Sequence, residues 1–309
     1  MAVAANVLGA IGNTPLVQLR KVVPPGSARV VVKLEGANPT GNMKDRMAKA
    51  AIEAAEADGR LRPGSTVVEY TGGSTGASLA LVCAAKGYPL KIVTSDAFSE
   101  EKTRTTSALG AEITLVPSDN RRITAELIKA MIDAARKLSS EPGHWWFDQL
   151  NNPDAAAGYS SMGEEIWEQT AGKVDAFVQA VGSVHSLNGV MRVLRAHNPN
   201  LHVVATEPAE TAVLSGGPKG SHRIEGIGLG FVPPQWRADE VDEVQSATTE
   251  EAMSMCRRLA REEGIFAGTS SGLNVIAALR VAKQLGPDAT VATIMIDSGL
   301  RYMSTDLYR

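Results

Sequence analysis

The amino-acid sequence predicts an α/β protein made of two three-layer units, each with a mostly parallel sheet between helices. Strand-like and helix-like segments alternate along the chain, and the alternation restarts after Asn151-Asn152-Pro153. Strands separated by helices pair in parallel through right-handed crossovers. With 309 residues, the chain is also too long for one small core. We therefore expect two α/β units, with the cleft between them as the ligand site.

The first half supplies valine-rich and isoleucine-rich runs for strands, separated by alanine-rich segments with apolar residues at helical spacing. Glycine and proline mark the turns between them. In chain order we predict strand 30–34, helix 44–57, strand 66–70, helix 77–86, strand 90–94, helix 100–109, strand 112–116 and helix 124–138.

The second half repeats the pattern, except for a stretch rich in glycine and proline at residues 215–234. The helical segments after it return to apolar spacing, and the last strand is a continuous apolar run. We predict helix 155–169, strand 176–181, helix 187–197, strand 202–207, helices 249–263 and 272–285, and strand 291–296.

Composition excludes several classes of protein. Hydrophobic residues make up 44% of the chain and charged residues 21%, with a formal net charge of −3. These values are ordinary for a globular protein and give no electrostatic reason to expect nucleic acid or an anionic membrane as partner. No apolar run approaches the roughly 20 residues that cross a bilayer, and residues 1–5 lack the pattern of a signal peptide. We expect a cytoplasmic protein, no metal site, and two buried, reduced thiols at Cys83 and Cys256.

Three glycine-containing loops each precede a predicted helix, at residues 71–76, 182–186 and 268–272. Backbone N–H groups in such turns point outward at the positive end of the helix dipole, where phosphate or carboxylate binds. One such loop is also an ordinary helix cap. Three on an α/β scaffold indicate an anionic small molecule, although none has the pattern of a nucleotide P-loop or a dinucleotide fingerprint.

The segment at residues 38–46, Asn-Pro-Thr-Gly-Asn-Met-Lys-Asp-Arg, places Lys44 at the start of a helix. An ammonium group there faces the unfavourable end of the helix dipole, which favours the neutral, nucleophilic amine. Position alone also allows an ordinary solvated lysine.

Motifs along the whole chain resemble those of the cysteine synthase/cystathionine β-synthase family, which are fold-type II enzymes that use pyridoxal 5′-phosphate (PLP). The most specific is the lysine segment at 38–46, which follows Ile-Gly-Asn-Thr-Pro-Leu at 11–16. Further matches occur in order: Ser-Glu-Glu-Lys at 99–102, Leu-Gly-Ala at 109–111, Gln149 with Asn-Asn-Pro at 151–153, Glu-Gly-Ile-Gly-Leu-Gly-Phe at 225–231, Glu-Gly-Ile-Phe-Ala-Gly at 263–268, Ser-Ser-Gly at 270–272, Asp-Ser-Gly at 297–299 and Arg-Tyr at 301–302.

The resemblance implies a fold like that of the tryptophan synthase β chain and a role for each matching residue. It implies that Lys44 carries the cofactor as a Schiff base and, once freed, acts as the base on the substrate Cα. The residues expected to bind the substrate carboxylate are Thr71, Gly72, Gly73, Ser74, Thr75 and Gln149; those expected to bind the cofactor are Lys44, Ser74, Gly182, Ser183, Val184, His185, Ser186, Gly226 and Ser298. Ser298 is expected at the pyridine nitrogen, with Asp297 as the alternative one residue earlier. A serine there suits β-elimination better than transamination.

The resemblance also implies a homodimer and two domains, a smaller mobile one at 37–149 and a larger cofactor-binding one at 150–309 that includes 1–36. The carboxylate-loop pattern Thr-Ser-Gly-Asn-Thr-Gly is altered here, with Gly72 in place of serine and Ser74 in place of asparagine. The phosphate-loop pattern Gly-Thr-Gly-Gly-Thr reads Gly-Ser-Val-His-Ser at 182–186. Val184 restricts a backbone that glycine leaves free, and two orientations stay open for His185, donating to the phosphate or pointing outward.

These features predict PLP-dependent β-replacement on an activated serine such as O-acetylserine, through an aminoacrylate intermediate and with a small nucleophile. Sulfide as nucleophile defines a cysteine synthase, and an amine gives a product such as diaminopropionate. Two alternatives are a β-eliminating lyase or dehydratase and a non-catalytic paralogue. Retention of Lys44 argues against the paralogue, and the altered loops keep it open.

Overall fold

The computed structural model describes residues 3–309, which form two sheets flanked by helices. The larger sheet has six strands in the order β1-β2-β10-β7-β8-β9, and the smaller has four in the order β5-β4-β3-β6. The strands are β1 (Leu16–Gln18), β2 (Arg29–Leu34), β3 (Thr66–Tyr70), β4 (Leu90–Ser95), β5 (Glu112–Val116), β6 (His144–Trp146), β7 (Ala176–Ala180), β8 (His202–Pro208), β9 (Glu243–Ala247) and β10 (Thr290–Met295).

The helices connect these strands as parallel crossovers require. They are α1 (Lys44–Ala57), α2 (Ser74–Lys86), α3 (Glu100–Ala108), α4 (Ala125–Ser139), α5 (Ser160–Gln169), α6 (His185–His197), α7 (Thr249–Arg258) and α8 (Thr269–Leu285). Short 3-10 helices, among them Ala157–Tyr159 and Gly299–Tyr302, complete the regular structure.

Every strand pair is parallel except β1 with β2 at the edge of the larger sheet. The predicted α/β class with mostly parallel sheets is therefore confirmed. The four-stranded sheet takes all its strands from residues 66–146, and the six-stranded sheet takes its strands from residues 16–34 and 176–295. A mobile smaller domain at 37–149 stays a prediction.

The sequence prediction missed three strands and misjudged several helix boundaries. β1 and β6 have only three residues each, and β9 is a mostly polar strand at a sheet edge. The helix predicted at 249–263 is α-helical only to Arg258 and continues as a π-helix over Leu259–Glu263. The helix predicted at 155–169 begins as the 3-10 turn Ala157–Tyr159 before α5.

Helix α1 is anchored by buried charged side chains that follow Lys44. Arg46 makes ion pairs with Glu35 at 2.8 Å and with Glu165 at 2.7 Å. Asp45 accepts a hydrogen bond of 2.6 Å from Ser78 on α2 and contacts Thr40. Because buried charges are tolerated only when paired and hydrogen-bonded, these contacts fix the first turn of α1 and with it the backbone of Lys44.

Both cysteines are buried free thiols, as predicted. Burial raises the pKa of Cys83 and of Cys256 to about 12, which keeps both sulfurs in the inert thiol form near neutral pH. Within residues 3–309, we find no helix with the length and apolar character needed to span a bilayer.

Candidate active site

A cleft opens beside Lys44, between the carboxyl end of β3 and the glycine-rich segment at 225–230. Eight of the residues predicted from the sequence line it: Lys44, Thr71, Gly72, Ser74, Thr75, Gln149, Ser183 and Gly226. Six predicted residues are not among the lining, namely Gly73, Gly182, Val184, His185, Ser186 and Ser298. The first five of these lie within the two loops and act through the backbone or through buried contacts, as described below.

Lys44 is the first residue of α1, as predicted, and its backbone N–H donates to Asn42 Oδ1 at 2.7 Å. Its side chain is buried, and burial lowers the pKa of the ammonium group to about 8. Burial is a cause of the lowered pKa that the position of Lys44 at the start of a helix does not predict. A substantial fraction of this amine is therefore neutral near neutral pH and able to attack a carbonyl group.

The loop at 71–75 joins β3 to α2 and turns at Gly73, which has φ 116°. Thr71 accepts a hydrogen bond of 2.9 Å from the Gly73 N–H through its Oγ1. The side chains of Ser74 and Thr75 stand in the first turn of α2 and face the cleft. The loop thus presents hydroxyl groups and a helix N-terminus on one wall of the cleft, which suits a carboxylate.

The structure explains why glycine occupies both positions after Thr71. A Cβ atom on Gly72 would lie 2.8 Å from Cε1 of Phe98, so the phenyl ring fills the space that a serine side chain needs. A Cβ atom on Gly73 would lie 2.5 Å from Cβ of Lys102. Lys102 cannot easily move away, because its Nζ is buried and donates to Glu225 at 2.7 Å and to Tyr302 at 3.0 Å.

Gln149 lies after β6 and holds the carboxylate loop in place. Its Oε1 accepts from Thr75 Oγ1 at 2.8 Å, and its Nε2 donates to the Tyr70 carbonyl at 2.7 Å. Its backbone N–H donates to buried Glu69 at 3.1 Å. Burial raises the pKa of Glu69 well above its ordinary value. Gln149 therefore hydrogen-bonds directly to Thr75, and its predicted contact with the substrate carboxylate stays a prediction.

The loop at 182–186 joins β7 to α6 and is more buried than the first loop. Gly182 approaches the Gly226 carbonyl so closely that a Cβ atom would lie 2.5 Å from its oxygen. Ser186 accepts a hydrogen bond of 3.1 Å from Gln179. Ser183 Oγ is buried and has no hydrogen-bond partner among the described residues. This hydroxyl group is therefore available to bind a ligand in the cleft.

Val184 and His185 depart from the family pattern in the same loop. Val184 has φ 70°, a left-handed conformation that is rare for a β-branched residue, and its side chain packs into the main hydrophobic core. The side chain of His185 is buried, and its Nε2 lies 2.9 Å from the Gln149 carbonyl oxygen. The sequence left open an outward orientation or a hydrogen bond to the phosphate. The structure shows neither: the imidazole points inward, and its Nε2 contacts the Gln149 carbonyl.

Ser298 and Asp297 lie at the carboxyl end of β10. Ser298 Oγ accepts from the Leu300 N–H at 3.3 Å and caps the 3-10 helix Gly299–Tyr302. Asp297 is buried, and its Oδ2 accepts from Tyr302 at 2.7 Å. Burial raises the pKa of Asp297. The contact of either residue with a pyridine nitrogen stays a prediction.

Apolar side chains complete the cleft, and sequence reasoning did not identify them. They come from β3, from the turns before α3 and α4, from the start of α4, from the segment after β6 and from the 225–230 segment: Tyr70, Phe98, Ile123, Ile128, Leu150, Ile227 and Leu229. In sequence they look like ordinary core residues, and only the Ile227 and Leu229 positions fall inside a recognised motif. Among the described lining residues, Lys44 is the only one with a basic or acidic side chain.

Two mostly parallel sheets flanked by helices, with a cleft that holds a buried lysine beside two strand-to-helix loops, are the architecture of a PLP-dependent enzyme of fold type II. The chain belongs to the family described as pyridoxal-phosphate dependent enzymes, whose model matches residues 7–297.

Proteins similar to this chain make different β-substituted amino acids. It is 43% identical to a cysteine synthase of Staphylococcus aureus over 305 residues, which is 98% of this chain and 96% of the relative. A solved structure of O-ureido-L-serine synthase matches with 35% identity and a TM-score of 0.92, over 99% of this chain and 96% of that one. An O-acetylserine dependent cystathionine β-synthase from Helicobacter pylori matches with 32% identity and a TM-score of 0.93 over all of both chains. The predicted family, cofactor and cysteine synthase-like class of enzyme are thereby confirmed.

The residues present fit PLP. Ser183 Oγ and the backbone at the N-terminus of α6 would hold a phosphate group, since the buried hydroxyl has no other partner among the described residues. The neutral amine of Lys44 would form the covalent bond to the aldehyde. Gly226 leaves room for close approach, since it lines the cleft and a Cβ atom there would meet open space.

Proposed function

We propose that this enzyme replaces the β-substituent of an O-acylated serine, with O-acetylserine as the natural donor, by a small nucleophile. The observation that carries the proposal is the buried Lys44 amine, with a pKa of about 8, in a cleft that has hydroxyl groups on one wall and apolar groups on the others. PLP, when bound, withdraws electrons from the substrate Cα and so makes its proton acidic. Lys44 is the base placed to take that proton.

The carboxylate of the donor fits the loop at 71–75. Thr71, Ser74 and Thr75 line the cleft there, and the N-terminus of α2 supplies backbone N–H groups. Gln149 keeps Thr75 in position through the 2.8 Å hydrogen bond. Binding of the carboxylate at this loop would bring the smaller sheet and its helices toward the larger one, which is the closure that the family resemblance implies.

The leaving group is uncharged before it departs. Phe98, Ile123, Ile128, Leu150 and Leu229 surround the cleft, and no arginine lines it in the described part of the chain. A phosphate ester carries about two negative charges near neutral pH and needs paired donors when it leaves water. An acetyl ester loses little on entering an apolar pocket, which supports O-acetylserine over O-phosphoserine.

The nucleophile is proposed by analogy with the relatives. Cysteine, O-ureidoserine and cystathionine, which the names of these relatives mention, differ only in what is attached to the β carbon of alanine. Sulfide is our first candidate, and an amine that yields diaminopropionate is the second. A β-eliminating lyase differs from both, because it releases a keto acid and ammonia without a nucleophile.

Visible spectroscopy of the purified holoenzyme tests the donor. We expect O-acetylserine to shift the absorption of the bound cofactor, while O-phosphoserine and serine at the same concentration leave it unchanged. Addition of sulfide should restore the original spectrum and release cysteine. A shift with O-phosphoserine alone would overturn the donor assignment, and release of pyruvate without added nucleophile would establish the lyase.

A pair of lysine variants on α1 tests the site itself. Lys44→Ala should lose turnover and the covalent cofactor, measured by mass after borohydride reduction. Lys49→Ala is the matched control, because Lys49 is half-buried on the same helix and its Nζ reaches the Leu8 carbonyl at 3.2 Å, away from the cleft. If Lys44→Ala kept the covalent cofactor, the proposal would be wrong, and the non-catalytic paralogue would regain support.

The homodimer and the cytoplasmic location are proposals that rest on the family resemblance and on composition. Light scattering after size-exclusion chromatography measures the first, since a dimer has twice the 32.6 kDa mass of the chain. Small-angle scattering with and without donor measures the proposed closure.

A further inference from the structure

One buried histidine connects the two loops of the cleft. His185 is in the first turn of α6, at the end of the 182–186 loop. Its Nε2 lies 2.9 Å from the backbone carbonyl oxygen of Gln149, which follows the last strand of the smaller sheet. This contact links the 182–186 loop, which is expected to bind phosphate, to Gln149, which hydrogen-bonds to Thr75 in the 71–75 loop.

The direction of the hydrogen bond is fixed by its acceptor. A carbonyl oxygen only accepts, so the imidazole must carry its proton on Nε2, and Nδ1 is then the unprotonated nitrogen of a neutral ring. Burial, with a smaller contribution from the charge of Lys44, lowers the pKa of His185 to about 4. The neutral form with one N–H therefore predominates at neutral pH.

Gln149 is at the centre of a chain of contacts that ends in the cleft. Its side chain accepts from Thr75 at 2.8 Å and donates to the Tyr70 carbonyl at 2.7 Å. Its carbonyl oxygen takes the imidazole N–H of His185 at 2.9 Å. A displacement of Gln149 would consequently reach Thr75, a cleft-lining residue, through a single hydrogen bond.

The preceding residue holds His185 in this orientation. Val184 is at φ 70°, and its side chain is buried in the main core. Strain of this kind persists only where the surroundings determine the conformation. The loop is thus kept rigid by its own side chains, where the family pattern has glycine.

We propose that His185 is a positioning residue that couples the phosphate loop at 182–186 to the substrate carboxylate loop at 71–75, by holding the Gln149 carbonyl through its Nε2–H. The proposal rests on the roles assigned to these loops under the proposed function. Its consequence is reciprocal: cofactor at the 182–186 loop orders the 71–75 loop, and substrate at the 71–75 loop strengthens the hold on the cofactor.

Three substitutions at His185 distinguish the position of the hydrogen-bond donor from the mere presence of a side chain. His185→Gln keeps an N–H close to the position of Nε2, His185→Asn places its amide near Nδ1, and His185→Leu keeps bulk with no donor. We expect KM for O-acetylserine to rise about tenfold in the Leu and Asn variants with kcat changed less than threefold, and to stay within threefold of the parent in the Gln variant. Equal KM values for Asn and Gln would overturn the proposal, even if the Leu variant does not fold.

Hydrogen exchange gives a readout that does not depend on turnover. Adding PLP to the apoprotein should slow amide exchange in a peptide covering residues 147–152 for the parent and for His185→Gln, but not for His185→Asn or His185→Leu at saturating PLP. The same slowing in all four proteins would refute the coupling. Since this assay contains no donor, its outcome is independent of whether O-acetylserine is the substrate.

A double-mutant cycle with Thr75→Val locates the route. If His185 acts through Gln149 on Thr75, the effects of His185→Asn and Thr75→Val on KM are less than multiplicative. The reason is that either change alone already removes a hydrogen bond on which the effect of the other depends. Multiplicative effects would show that His185 acts elsewhere and would overturn the proposed route.

Discussion

The loops at 71–75 and 182–186 each connect a parallel strand to a helix, but they make the turn with different residues. The first turns at Gly73 with φ 116°, and four of its five residues line the cleft. The second turns at Val184 with φ 70°, and only Ser183 lines the cleft. The first loop therefore exposes most of its residues to the cleft, whereas the second is held by the buried side chains of Val184 and His185.

The difference follows from what surrounds each turn. The first loop lies against Phe98 and Lys102, which leave no space for side chains at positions 72 and 73. The second lies over the core, where burial of the valine side chain opposes the cost of its left-handed backbone conformation.

The strongest test of this comparison is Gly73→Ala. The new methyl group would meet Lys102 at 2.5 Å and would also hold an unfavourable φ, so we expect a loss of about 3 kcal/mol in the free energy of unfolding, measured with urea. Gly87→Ala is the control, since Gly87 has φ 81° with open space around it; it should lose only about 1 kcal/mol. Equal losses would mean that Lys102 does not restrict the loop.

The second test concerns pH and the buried imidazole. In the apoprotein the pKa of His185 is lowered to about 4 by burial and by Lys44, while an unfolded histidine titrates near 6.5. At pH values between these two pKa values, His185 binds a proton in the unfolded state but not in the folded state. Stability from this group is therefore complete above about pH 6.5 and is lost as pH falls toward 4.

We expect the free energy of unfolding of His185→Gln, relative to the parent, to rise by at most about 3 kcal/mol between pH 6.5 and pH 4. Urea unfolding of both apoproteins across this range measures it. His222, whose pKa is also lowered by burial, is present in both proteins and cancels in the difference. A constant difference across the range would mean that His185 is accessible to protons in the folded state.

The third test restores the family residue at one position of the first loop. In Gly72→Ser the new side chain would collide with the Phe98 ring at 2.8 Å, and overpacking of this kind costs about 1–3 kcal/mol. We expect KM for O-acetylserine to rise several-fold, because Phe98 also lines the cleft. Adding Phe98→Leu should bring KM most of the way back to the parent value. A KM in the double variant as high as in Gly72→Ser alone would point to another cause.

The sequence predicts the helices and strands that have strong local patterns and misses the short or polar strands at the sheet edges. Strands β3 and β5 and helix α1 match their predicted bounds, because each has a strong local pattern and Lys44 begins α1 as the motif implies. The edge strands β1, β6 and β9 were missed, because short or polar runs carry little periodicity.

For the site, eight predicted residues do line the cleft, since loops at the carboxyl ends of parallel strands converge. The contacts of Gly72 with Phe98 and of His185 with Gln149 join positions 26 and 36 residues apart. No local pattern specifies which side chains meet across that separation, so the altered loop residues could be noticed in the sequence but not explained.

The smallest effect we expect concerns Val184. Val184→Ala loses two buried methyl groups and keeps the Cβ atom that disfavours φ 70°, whereas Val184→Gly loses the whole side chain and the strain with it. If backbone strain is real, the glycine variant is the more stable of the two by about 1 kcal/mol, although it buries less apolar surface. Urea unfolding of both variants measures the difference. Were the alanine variant the more stable, packing alone would account for the valine, and the second loop would be rigid without being strained.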